Sequence, residues 1–90
     1  MNFQISILAI LTAHNRRQST LDCLVGLWTS AQEASIRLEA ILVDDGSTDD
    51  TVEAVRARFP WVEVDLADGS LYWTRGMQRA EALALTKPDW

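Results

Sequence analysis

The residues best suited to chemistry are two adjacent acids, Asp44 and Asp45, that follow the apolar run Ala40-Ile41-Leu42-Val43 and precede Gly46-Ser47. Carboxylates at the end of a buried run have to be satisfied by water, a cation or hydrogen-bond donors, because leaving them unpaired costs more than a short chain can offset. Taken alone, the pair supports two readings equally: a binding site, or a cap for the helix that follows, since Asp and Ser are preferred cap residues. Two further polar stretches stand beside apolar segments in the same way. Thr12 to Arg17 contains His14, the only histidine, and Arg16; Ala67 to Arg75 contains an Asp-Gly-Ser turn, Tyr72, Trp73 and Arg75. The one cysteine, Cys23, has no partner for a disulfide and no clustered His or Cys for a metal site, and is read as a small buried hydrophobe.

These stretches need elements to hold them. Ile5 to Leu11 is nearly continuous in apolar and β-branched residues, the pattern of a central parallel strand buried on both faces. Leu21, Leu24, Val25 and Trp28 then recur at helical spacing, which predicts a helix from about Gln18 to Ala34. A second buried strand, Ala40 to Val43, ends at the acids. Ser47 and Asp50 resemble a capping box for a second helix carrying Val52, Val55 and Phe59 and stopped by Pro60. Trp61 to Leu66 alternates apolar and charged residues, as a strand with one wet face or an edge position does. Met77, Ala80, Leu83 and Ala84 mark a third helix to about Thr86, and Trp28 and Trp61 are assigned to core or strand-edge packing.

The order β-α-β-α-β-α with short connections predicts an α/β fold: a three-layer, Rossmann-like parallel sheet in a single domain over residues 1–90. Ligands on such sheets gather beyond the carboxyl ends of the strands, where the three polar stretches converge. Composition narrows the partners. Thirteen acidic against eight basic side chains give a net charge of -5 with no basic run, which disfavours nucleic acid. The Ile5–Leu11 run is too short to span a bilayer and lacks a signal peptide's basic start, so neither a signal peptide nor a transmembrane helix is read. With one unpaired cysteine this gives a cytoplasmic setting as the expectation.

Two motifs carry a family resemblance. Ile5 to Asn15, ISILAILTAHN, resembles the opening strand and Thr-x-x-Asn loop of family 2 glycosyltransferases; Ile41 to Thr51, ILVDDGSTDDT, is similar to their second strand and Asp-Asp-Gly-Ser-Thr-Asp loop. Asp68 to Leu85 is similar to the loop and helix that often read Gly-x-Asn-x-Gly, with Gln78 standing where Asn is common and Arg75 where a small residue is common. The resemblance implies the N-terminal part of a GT-A fold that binds a nucleotide-diphosphate sugar, and transfer of that sugar to an acceptor hydroxyl. It assigns Thr12 and Asp45 to the base, His14 to the aromatic place beside it, Asp44 to a neighbouring place near base or ribose, and Arg16 to the diphosphate. Arg75, near the start of the third helix, is a further phosphate contact, and Tyr72 and Trp73 are read as lining the donor pocket.

The resemblance also implies a divalent cation, Mg or Mn, whose Asp-x-Asp ligands, like the general base, are absent from these 90 residues; no catalytic residue is assigned and the chain alone is expected to be inactive. A carboxylate at Asp45 would accept the N3–H of uracil or thymine and meet a second acceptor in cytosine, which makes a UDP- or dTDP-linked sugar the expected donor. The competing reading is a non-catalytic flavodoxin-like receiver, which also sets paired acids at a strand end; it needs a further phosphoacceptor Asp after a later strand, and Leu66-Ala67-Asp68 ends an edge-like one. A dinucleotide-binding domain would show Gly-x-Gly-x-x-Gly after the first strand, and none is there. With strand order 3-2-1, the first strand would keep an uncharged, unprotected edge, and a homodimer through that edge is expected.

Overall fold

The computed structural model describes residues 5–87. Its elements run β1 (Ser6–Ala13), α1 (Arg17–Ala34), β2 (Arg37–Asp45), α2 (Thr51–Arg58), β3 (Val62–Ala67) and α3 (Tyr72–Leu85). The strands form one parallel sheet in the order β1-β2-β3, with Ile10 opposite Ile41 and Leu42 opposite Val64. Successive strand residues point to opposite faces, and the two faces meet different helices. Ala40 and Leu42 pack with Leu21 and Leu24 of α1, Val55 of α2, Phe59 and Val62; Ile41 and Val43 pack with Ala80 of α3. The result is the expected three-layer α/β arrangement.

β2, flanked by a strand on each side, is the buried centre: Ala40 to Asp45 are all buried. β1 departs from the expectation of burial on both faces. Among the described residues it has a strand neighbour only on the β2 side; Leu8 to Thr12 are half-buried and Ile5 and Ile7 are 56% and 43% exposed. β3 is the other edge, as its alternation predicts. Its charged face carries solvent-exposed ion pairs: Arg79 of α3 pairs with half-buried Asp65, and Lys87 bonds exposed Glu63 at 3.0 Å.

Three local expectations are corrected. No Ser47–Asp50 capping box forms: Asp50 sits at φ 64° without a side-chain cap, Ser47 Oγ accepts the N–H of Asn15 at 2.9 Å, and Asp49 instead accepts from Thr51 at the start of α2. Cys23 is exposed, not buried, because Leu21 and Leu24 take the sheet-facing stripe of α1 and position 23 falls outside it. Trp28 is 41% exposed and stacks on the surface against Trp61 with centroids 5.6 Å apart, whereas half-buried Trp61, just ahead of the edge strand β3, packs against the core cluster as expected. Among the described residues no helix is long and apolar enough to cross a membrane.

Candidate functional site

The carboxyl ends of the three strands come together through their loops. Asn15, in the left-handed region at φ 50°, stitches the first loop to the second: its N–H donates to Ser47 Oγ, and its Oδ1 accepts the Thr48 N–H at 2.7 Å. One residue pair further on, Asp49 Oδ2 accepts the N–H of Arg17 at 3.0 Å while its other oxygen serves Thr51, so one carboxylate holds the starts of α1 and α2 together. Thr51's hydroxyl and the Arg17 and Thr51 N–H groups hold the Asp49 pKa below the ordinary carboxylate value despite its partial burial.

The second and third loops meet through glycine. Gly46 lies at φ 72°, and a Cβ there would come 2.9 Å from the backbone nitrogen of Gly69, itself at φ 97°. Any side chain at 46 would therefore pay both for the conformation and for the contact. The close approach brings Asp45 under the start of α3. Its Oδ1 accepts the Gly69 N–H at 2.8 Å, its Oδ2 accepts the Tyr72 N–H at 2.8 Å, and the Leu71 N–H is shared between the two at 3.2 and 3.1 Å. Burial would raise the pKa of this acid, but the N–H groups of Tyr72, Leu71 and Gly69, aided by His14, outweigh it and hold Asp45 below the usual carboxylate range. It is a carboxylate at neutral pH, with acceptors only.

On the other side of Asp45, its backbone carbonyl lies 2.6 Å from His14 Nδ1. A carbonyl can only accept, so Nδ1 carries a proton, while Nε2 lies 3.4 Å from the Asn15 amide nitrogen. Thr12 fixes the remaining wall: a Cβ added at buried Gly76 would strike the Thr12 side chain, so α3 crosses β1 at a point only glycine allows.

These contacts leave a cleft of about 400 Å³ lined by Thr12, Ala13, His14, Arg16, Asp45, Gly69, Tyr72 and Trp73, within the range of small-molecule sites. Six of the eight residues singled out from the sequence, Thr12, His14, Arg16, Asp45, Tyr72 and Trp73, thus share one cleft. Asp44 and Arg75 are not among its lining residues. Asp44, adjacent to Asp45 on the strand and so directed to the opposite face, is 2% exposed; its Oδ2 accepts the Ser47 N–H at 3.0 Å and its Oδ1 has no hydrogen-bond partner among the described residues. Arg75 is exposed on the first turn of α3. Sequence reasoning missed the cradle of N–H groups from Gly69, Leu71 and Tyr72 around Asp45. The Asp-Gly-Ser turn ahead of α3 signalled a helix start there, but not which acid would meet it.

A family model described as glycosyl transferase family 2 matches residues 8–76, a span that includes every residue lining the cleft. No curated protein and no solved structure matches the chain.

Proposed function

The chain belongs to glycosyl transferase family 2, and we propose that its cleft is the nucleotide end of a donor site, taking a uridine or deoxythymidine diphosphate sugar for transfer to an acceptor hydroxyl. The observation that carries this reading is the state of Asp45. Its carboxylate has about four acceptor positions and serves three backbone donors, one of them shared between its oxygens at the longest distances of the set. The shared Leu71 N–H, at 3.2 and 3.1 Å, is the weakest held of the three, and in this reading a donor from a ligand in the cleft takes one of the two positions it spans. The N3–H of uracil or thymine supplies that donor, whereas N3 of cytosine would set acceptor against acceptor.

The reading gives the other residues roles taken from the family resemblance. His14, its ring fixed by the Asp45 carbonyl, stands beside the base, and Thr12 borders it. Arg16, on the rim at the start of α1, meets the diphosphate with a guanidinium suited to paired phosphate oxygens. Arg75 is a second diphosphate contact in this reading, reached from the first turn of α3, and Asp44 acts from below by fixing the turn at Ser47. Family resemblance brings a divalent cation to the diphosphate; the described residues hold no group of three or more His, Cys, Asp or Glu that could bind one, so no step is assigned to it here. The cytoplasm is the proposed setting. The open, uncharged edge of β1 is proposed to pair with the same strand of a second copy, and sedimentation at micromolar concentration separates that pair from a monomer.

Calorimetric titration with UDP, dTDP and CDP tests the base assignment. The wild type is expected to bind UDP and dTDP about tenfold or more tighter than CDP, the scale of one hydrogen bond to a charged group. Asp45→Asn replaces one acceptor oxygen by a donor amide and is expected to erase or reverse that order. Equal affinity of the wild type for UDP and CDP would remove the role given to Asp45.

A further inference from the structure

Tyr72 combines features to which a place in the lining of the donor pocket gives no specific role. It opens α3 with φ 56°, a region that bulky side chains rarely occupy, and its ring is 78% exposed. Trp73 beside it is 70% exposed, and both line the cleft. The large aromatics on the far side of the sheet behave differently, for Trp28, Phe59 and Trp61 cover one another. Displaying an aromatic ring to water while holding its backbone in a disfavoured region is unfavourable on both counts, and such positions concentrate at binding sites.

The position of Tyr72 relative to Asp45 is fixed by a bond. Its N–H reaches Asp45 Oδ2 at 2.8 Å, while His14 reaches the carbonyl of the same residue at 2.6 Å. Asp45 is therefore held between two residues with flat side chains, one from the β1–α1 loop and one from the start of α3. Both residues line the cleft, so a planar ligand whose edge bonds to the Asp45 carboxylate would lie between the two segments that carry them. We infer that Tyr72 is a second aromatic wall of the site, stacking on the nucleobase from the α3 side with His14 opposite. This rests on the nucleotide reading above and divides its labour: Asp45 chooses the base through its edge, and Tyr72 supplies affinity through a face that every base has.

Tyr72→Gly separates a binding role from a structural one, because glycine adopts the positive φ freely and removes the ring without straining the start of α3. UDP and CDP are titrated against the wild type, Tyr72→Gly and Tyr72→Phe, with melting temperature and the base H5 and H6 proton shifts of bound UDP recorded for each. The inference expects Tyr72→Gly to melt at or above the wild-type temperature, to bind UDP and CDP about tenfold more weakly with their ratio unchanged, and to lose part of the upfield ring-current shift. Tyr72→Phe is expected to match the wild type throughout. Unchanged UDP affinity in Tyr72→Gly overturns the inference while leaving the nucleotide reading intact. A loss shared equally by Tyr72→Phe and accompanied by lower melting temperatures in both overturns it as well, by making the residue structural. Absence of UDP binding to the wild type defeats the nucleotide reading itself, and the wall with it.

Discussion

On the face of the sheet that carries α1 and α2, Leu21, Leu24, Ala40, Leu42, Val55, Phe59 and Val62 form one continuous buried cluster; on the face that carries α3, Ile41, Val43 and Ala80 form the buried cluster among the described residues. The first face is held by apolar area, which is non-directional and tolerant of small movements. The second has a smaller apolar cluster, with Leu8, Ile10, Leu71 and Leu83 packed half-buried against it, and adds devices that work at fixed distances: the Asp45 cradle and the Gly76 crossing over Thr12. The cleft lies on the second face. A site built on directional contacts is positioned to within a bond length, and it is the part of the molecule that a small change disturbs without unfolding the rest.

The contrast can be broken from either side. Leu24→Ala, at a fully buried position of the larger cluster, is expected to cost about 2–5 kcal/mol and lower the melting temperature of the whole chain in a single transition. Gly76→Ala should cost less, about 1–3 kcal/mol as an overpacked contact, yet it pushes α3 off Thr12 and is expected to abolish measurable UDP binding. Comparing the two variants by denaturant melts and UDP titration separates fold from site; loss of binding in Leu24→Ala under folding conditions, with binding kept in Gly76→Ala, would reverse the assignment.

Acid loosens the starts of α1 and α2 through Asp49, leaving the apolar cluster beneath them, and acts on the second face through Asp45. Its folded pKa is lowered, so its bonds to the α3 N–H groups stabilise the fold at any pH above the unfolded value of about 4, and that contribution disappears as pH falls through the lowered folded value. Amide exchange or fluorescence below about pH 4 is expected to report release of the Gly69–Tyr72 segment before the α1–α2 face melts. Simultaneous loss of both faces would place the weak point elsewhere.

Most of the sheet was legible because apolar runs and helical spacing are local: Ile5–Leu11, Ala40–Val43 and the Leu21, Leu24 stripe name their own elements. Thr12, His14, Arg16 and Asp45 were legible from where they stand at strand ends. Partner choice was not. Ser47 and Asp50 have the spacing of a capping box, but Ser47 is taken by Asn15, 32 residues away along the chain, and that competition is invisible to spacing. Cys23 was misplaced because type alone says buried while the helix phase set by Leu21 and Leu24 turns it outward. Even the separation of Asp44 from Asp45 follows from strand alternation, although which face would hold the cleft depended on where α3 docks.

The account rests on a nucleotide occupying the α3 face of the sheet and no other. Titrating UDP into uniformly ¹⁵N-labelled chain and following backbone amides tests this residue by residue. The expected result is saturable shifts at His14, Gly69, Leu71, Tyr72 and Trp73, with the amides of Leu24 and Val55 unmoved. Shifts centred on α1 and α2, or none at millimolar UDP, would contradict it.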